Sequence, residues 1–219
     1  MKNALLLLSL LLATAAAAQT PQTPTSYTAE FAAFDAQDKA TPPPANGILF
    51  VGSSSIRLWA GLPEAFPGKP VIQRGFGGST LSDVIRHMPR VILPYQPKQI
   101  VLYAGDNDIG QANRTARDVY GQFLTFFTVV RKQLPNTTIT YIAVKPSPLR
   151  RQFMPVMVET NRMIKQYLAS QRNTSFADVY TPMLDAGGQP RPNLFLADSL
   201  HMNPQGYDIW KTAIAPLLK

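Results

Sequence analysis

Gly47-Ile48-Leu49-Phe50-Val51-Gly52-Ser53-Ser54-Ser55-Ile56-Arg57-Leu58-Trp59 is the stretch on which the fold turns. Ile48 to Val51 form an uninterrupted apolar run, preceded by Pro42-Pro43-Pro44 and stopped at Gly52. That is the pattern of a strand buried on both faces of a parallel sheet. Gly52 permits a sharp turn, and three serines after it place hydroxyls at the carboxyl edge where ligands of such sheets bind. Two readings of these serines stand at this point. One of them is a nucleophile lying beside the N–H donors of a helix start, or they cap the next helix.

The alternation of strand, small-residue turn and helix recurs along the chain. Lys69 to Phe76 is a second strand, entering Gly75-Phe76-Gly77-Gly78-Ser79-Thr80. Thr80-Leu81-Ser82-Asp83 starts a helix through Val84, Ile85 and Met88 that Pro89 kinks or ends and that cannot pass Pro94. Gln99 to Ala104 is a third strand, running into Gly105-Asp106-Asn107-Asp108, and a helix over 115–134 follows. Thr137 to Val144 is a fourth strand ending at Lys145-Pro146-Ser147-Pro148; a helix over 155–170 leads to a fifth strand, Thr174 to Tyr180. Asn203 caps and Pro204 opens the last helix. Ahead of the first strand, Tyr27, Phe31 and Phe34 fall at i, i+4 and i+7, which predicts a short helix over 28–38 packed on the domain.

Five strands alternating with helices imply an α/β fold, a three-layer α/β/α sandwich around a five-stranded parallel sheet in the flavodoxin-like order 2-1-3-4-5. In that order Gly52-Ser55, Gly75-Thr80, Gly105-Asp108 and Asp198-His201 converge on one edge.

The 219 residues suit one domain, and with no cysteine its stability comes from packing rather than disulfides. Residues 1–18 have the three parts of a cleavable signal peptide: Lys2, the apolar run Leu5 to Leu12, and small residues Ala15 to Ala18. Residues 19–26, rich in Thr, Gln and Pro, read as a spacer, leaving 27–219 as the domain. The expected location is secreted or periplasmic. No stretch is long and apolar enough for a transmembrane segment. The net charge of +8 is scattered, with Arg131-Lys132 and Arg150-Arg151 the only adjacent basic pairs, which argues against a nucleic-acid partner.

Ester hydrolysis by serine needs a nucleophile, a base, a group that orients the base and donors for the oxyanion. Of the two histidines, His87 lies mid-helix beside Arg86 and reads as a solvated surface residue. His201 follows Asp198 by three residues, a spacing that lets the carboxylate reach Nδ1 while Nε2 faces outward. The candidate oxyanion donors are the backbone N–H groups of Gly78 and Ser54 and the side-chain amide of Asn107. Each has a plainer account as well: a turn for Gly77-Gly78, an Asx-turn for Asn107, a cap or ion pair for Asp198 and His201.

Gly52-Ser53-Ser54-Ser55, Gly78, Gly105-Asp106-Asn107-Asp108 and Asp198-Ser199-Leu200-His201 resemble, in order and spacing, the four blocks of SGNH hydrolases, the GDSL-like lipase/esterase superfamily. The resemblance covers almost all of the chain after the spacer. It implies Ser54 as nucleophile, Gly78 and Asn107 as oxyanion donors with the N–H of Ser54, and Asp198 and His201 completing the triad. It implies no cofactor and no metal. The family's usual Gly-Asp-Ser is here Gly52-Ser53-Ser54, so altered local hydrogen bonding is expected around the nucleophile. No Gly-x-Ser-x-Gly is present, which argues against an α/β-hydrolase elbow.

The reading that follows is a serine esterase working through an acyl-enzyme on a small-molecule ester. Because the chain resembles the compact members and shows no long apolar lid, a short-chain acyl or acetyl ester of a carbohydrate comes first. A lysophospholipid ester is the alternative. Two other classes stand beside it: a non-catalytic carbohydrate- or envelope-binding module, and a metal-dependent phosphoesterase drawing on Asp106, Asp108 and Asp198.

Overall fold

The computed structural model describes residues 27–219; the expected signal peptide over 1–18 and the expected spacer over 19–26 lie outside the described residues. Strands β1 (Ile48–Gly52), β2 (Val71–Gly75), β3 (Gln99–Tyr103), β4 (Thr138–Ile142) and β5 (Thr174–Ala177) form one sheet. Its order is β2-β1-β3-β4-β5, with every neighbouring pair parallel. The helices are α1 (Thr28–Ala40), α2 (Ser54–Arg57), α3 (Leu62–Ala65), α4 (Leu81–Val91), α5 (Asp106–Gly110), α6 (Ala116–Gln133), α7 (Met154–Ala169) and α8 (Pro204–Ile214).

Successive side chains of a strand point to opposite faces, and here both faces are covered. Leu49, Val51, Ile100 and Leu102 pack with Phe31 of α1, Val84 of α4, Phe123 of α6 and Ile164 of α7. Ile48, Phe50, Val101 and Tyr103 pack on the other side with Ile56, Leu62 and Trp210. This is why β1 reads as a continuous apolar run rather than an alternating one.

The expected helix starts have specific chemistry. Thr80 and Asp83 form a reciprocal capping box at α4, Thr115 and Asp118 form another at α6, and the Asn203 side chain accepts from the Gly206 N–H at 3.2 Å. Helix α4 passes through Pro89 to Val91, giving up the bond that residue 89 would donate to the Ile85 carbonyl, and the Ile92 N–H still bonds the Met88 carbonyl at 3.0 Å. It stops short of Pro94.

Strands β2, β4 and β5 are shorter than expected: β2 spans Val71–Gly75 within the expected 69–76, and β4 and β5 also stop early. The Asn161 side chain takes both backbone groups of Val144, at 2.8 and 2.9 Å, which ends β4 at Ile142. Asp178 accepts from the N–H and the hydroxyl of Thr181, turning the chain out of β5 after Ala177. Local side-chain acceptors here outcompete the ladder.

Gly52 ends β1 at φ +134°, where a Cβ would lie 1.8 Å from the Tyr103 carbonyl oxygen of the neighbouring strand. Only glycine lets the chain leave the sheet here and start α2 at once.

Candidate active site

Ser54 is the first residue of α2, immediately beyond the carboxyl end of β1. Its hydroxyl lies 3.0 Å from His201 Nε2. Ser53 and Ser55 are buried on either side, so of the three serines only Ser54 meets the imidazole. Ser53 occupies the N-cap position of α2 but makes no side-chain cap, so the capping account of these serines does not describe them. Ser53 instead ties α2 to the sheet through its backbone, donating to the Tyr103 carbonyl at 3.0 Å and accepting from the N–H groups of Ile56 and Arg57.

His201 and Asp198 sit on a short loop closed by the bridge between Phe195 and Met202 and by a bond from Leu196 N–H to the His201 carbonyl at 2.8 Å. Ser199 takes the left-handed conformation at φ +57° to make the turn. Asp198 Oδ2 stands 2.6 Å from His201 Nδ1, while Oδ1 accepts from the backbone N–H groups of Leu200 and His201 at 3.0 and 2.9 Å. Desolvation pushes the Asp198 carboxyl up, but these hydrogen bonds outweigh it and hold it at about 2. It is therefore ionised at neutral pH, able to fix the imidazole tautomer and support an imidazolium. The Asp–His spacing thus makes both a local turn and a side-chain pair.

Asn107 lies in the first turn of α5, directly after β3, with its side chain fixed by two distant partners. Nδ2 donates to the Ser79 carbonyl at 3.1 Å and Oδ1 accepts from Arg150 Nη2 at 3.0 Å. It is not an Asx-turn residue. One amide hydrogen remains after the Ser79 bond. Gly78 turns at φ +72°, and among the described residues its N–H has no acceptor. The Ser54 N–H is the first of α2, which helical geometry leaves without an intrahelical partner.

Two charged clusters underlie these donors. Asp106 is buried, yet Lys145 Nζ at 2.7 Å and Tyr103 Oη at 3.1 Å donate to Oδ2, and Arg150 Nη1 pairs with Oδ1 at 2.5 Å. Burial pushes the Asp106 carboxyl up, but the two cations overcome it and bring it to about 2. Asp108 pairs directly with no cation among the described residues and accepts from the Leu81 N–H through both oxygens, at 3.2 and 3.1 Å, anchoring the start of α4. Burial lifts its carboxyl to about 6. The carboxylates a metal-dependent phosphoesterase would draw on, Asp106, Asp108 and Asp198, thus serve three separate sets of partners. Among the described residues no group of three or more His, Cys, Asp or Glu is placed to hold a metal ion.

The raised pKa of Asp108 has a definite sign. Native Asp108 keeps its proton where the unfolded chain, near 3.8, has lost it. Stability therefore falls as pH rises from about 4 to about 6, by on the order of 2–3 kcal/mol, and the cost is full above that range. Asp108→Asn keeps an acceptor for Leu81 and removes the charge. Its urea midpoint should match the parent's near pH 4 and exceed it at pH 8. A variant less stable by the same margin at both values would show that the ionised carboxylate carries no such cost.

His87 differs from expectation. Its ring packs edge-on against Tyr27, Phe31 and Phe76, with centroids 5.6, 4.9 and 6.1 Å away, and it is half-buried under α1 rather than solvated. Desolvation lowers its pKa. Lys145 and Arg150 stand outside the residues that the four sequence blocks mark. A lysine directly after a buried β-branched strand was the available signal for the first; nothing local marks the second.

A sequence profile of the GDSL-like lipase/acylhydrolase family matches residues 48–209, from β1 into α8. The chain belongs to this family. It is an ester-hydrolysing serine hydrolase of the SGNH type. No curated protein sequence matches this acylhydrolase, whereas many solved structures share its fold. A GDSL-like lipase from Bacteroides thetaiotaomicron is 19% identical, with a TM-score of 0.71 over 85% of this chain and 96% of that one. A carbohydrate esterase family 3 protein from Talaromyces cellulolyticus is 16% identical, with a TM-score of 0.61 over 78% and 95%. A mutant of an acetyl-xylooligosaccharide esterase from Geobacillus is 14% identical, with a TM-score of 0.62 over 80% and 94%. At these identities the likeness is one of fold.

Proposed function

We propose that this acylhydrolase cleaves short-chain acyl esters, above all acetyl esters of carbohydrates, through an acyl-enzyme on Ser54. His201 Nε2 takes the hydroxyl proton as Oγ attacks the ester carbonyl, then returns it to the leaving alcohol; Asp198 holds Nδ1–H throughout. The developing oxyanion accepts from the free amide hydrogen of Asn107 and from the N–H groups of Gly78 and Ser54. Water repeats the sequence on the acyl-enzyme, releasing the acid and restoring Ser54. The observation that carries this reading is the unbroken relay from Asp198 through His201 to Ser54, at 2.6 and 3.0 Å.

The substrate class is supported by the two esterases of like fold, a carbohydrate esterase and an acetyl-xylooligosaccharide esterase. A groove of ≈ 300 Å³ between the end of α2 and the start of α8, lined by Leu58, Trp59, Leu196, Met202 and Tyr207 among others, includes none of Ser54, Asp198, His201, Gly78 or Asn107 and so sets no limit on the acyl group. One observation favours a lysophospholipid instead: Leu196 and Leu149, 50% and 54% exposed, flank the Asp198–His201 loop, with Leu149 N–H bonded to the Ser199 carbonyl.

Aryl esters of increasing acyl length, run beside acetylated xylose oligomers and a lysophospholipid with Ser54→Ala as blank, separate the two. The expected order has acetyl first, with kcat/KM lower by about tenfold or more at octanoyl. Preference rising with chain length, together with turnover of the lysophospholipid, would replace the carbohydrate assignment by the lipid one.

A further inference from the structure

We propose that Arg150 is a positioning residue for the reaction, holding the Asn107 amide with its nitrogen toward the reacting carbonyl. The proposal rests on Asn107 being an oxyanion donor, as argued above.

A carboxamide can turn over by exchanging its oxygen and nitrogen. Here that exchange is blocked from both ends. In the observed orientation Oδ1 accepts from Arg150 Nη2 at 3.0 Å and Nδ2 donates to the Ser79 carbonyl at 3.1 Å. Turned over, the amide nitrogen would face a guanidinium and its oxygen a carbonyl oxygen, so two hydrogen bonds would become two like-polarity contacts in a buried place. The Ser79 contact alone leaves the amide free to swing. The charged donor supplies the stronger half of the lock.

Arg150 can do this because its other nitrogen is tied down. Nη1 pairs with Asp106 Oδ1, and Asp106 in turn is the residue next to Asn107 at the start of α5. The guanidinium thus spans a carboxylate and an amide on consecutive residues of one short helix. The fork is planar and rigid, which a lysine ammonium is not. Gly110, the last residue of α5, makes the room: a Cβ there would fall 2.3 Å from Arg150 Nε and 2.7 Å from Cζ. Arg150 itself is buried, on a turn that follows β4 and starts with its N–H bonded to the Ser147 carbonyl at 3.1 Å. The β4 edge thereby reaches across to the β3 edge and sets the donor.

Lys145 provides a matched control. It is equally buried and pairs with the other oxygen of Asp106, but it makes no bond to Asn107. Removing either cation leaves Asp106 with one cationic partner and the Tyr103 hydroxyl, so the two losses are alike in charge and differ in their effect on the amide.

The test compares Arg150→Met, Lys145→Met, Asn107→Ala and the double variant Arg150→Met/Asn107→Ala on an aryl acetate, with melting curves for each. Arg150→Met should lower kcat by about 10- to 100-fold with KM changed less than about threefold. Lys145→Met should keep kcat within about threefold despite a similar loss of melting temperature. In the Asn107→Ala background Arg150→Met should add less than about threefold, because there is no amide left to position. Equal kcat losses from the two single variants, or full additivity in the double variant, would overturn the proposal in favour of a purely structural role. If Arg150→Met does not fold, Gly110→Ala answers the same question with every charge kept. It should displace the guanidinium and lower kcat, and an unchanged kcat would refute the lock. An Asn107→Ala enzyme with parental kcat would instead remove the oxyanion reading itself, an outcome distinct from either.

Discussion

Replacing His201 by alanine is expected to lower kcat by about 10⁴- to 10⁶-fold, the scale on which serine hydrolases lose activity when a triad member is removed. His201 Nε2 stands 3.0 Å from the Ser54 hydroxyl and its Nδ1 is held by Asp198, and among the described residues no other side chain is hydrogen-bonded to that hydroxyl. Without the base, the hydroxyl must attack with its proton in place. His87→Ala is the internal comparison. That ring is a packing element among Tyr27, Phe31 and Phe76, so its loss should lower the melting temperature by a few degrees and leave kcat within about twofold. Steady-state hydrolysis of an aryl acetate with parallel melting curves reads both effects. Comparable kcat losses from the two variants would mean that the relay at Ser54 is not the proton path.

Asn107→Asp should be the more informative loss at the proposed oxyanion site, larger than the roughly 10²- to 10³-fold drop in kcat expected for Asn107→Ala. Aspartate fits the same space, and one carboxylate oxygen can still accept from Arg150 Nη2. The other oxygen replaces Nδ2, and so confronts the Ser79 carbonyl and withdraws the donor. It also sets a negative charge where, in the proposed mechanism, the transition state develops one. The ester itself is neutral, so the penalty is concentrated in kcat rather than KM. Circular dichroism shows whether the fold is kept, and a pH series shows whether activity returns as the carboxyl is protonated. A folded aspartate variant with near-parental kcat would refute the donor role.

These expectations depend unequally on sequence and on structure. The apolar run Ile48 to Val51, its stop at Gly52 and the recurrence of strand, small-residue turn and helix were sufficient to place five parallel strands in the order 2-1-3-4-5. Hydrophobic periodicity and turn chemistry are local properties, and a sheet covered on both faces writes them plainly into the chain. Helix starts at Thr80, Thr115 and Asn203 were legible for the same reason, since a cap and its partner lie within three residues.

Strand ends were less legible. The Asn161 side chain that ends β4 comes from α7, a contact between elements rather than within one. His87 carried no local sign that Phe31 of α1 and Tyr27 just ahead of that helix would cover it. Asn107 looked equally like a turn residue until its partners, Ser79 and Arg150, were seen to lie 28 and 43 residues away. The sequence by itself determined the fold and the four stretches that meet at the sheet edge, because each is specified by neighbours along the chain. The family resemblance had already marked Ser54 among the three serines; only the tertiary structure decided how far its hydroxyl lies from the imidazole, which way the Asn107 amide faces and how Arg150 and Lys145 share Asp106. Those choices are made by hydrogen bonds and charges that come together only when separate strand ends are brought side by side.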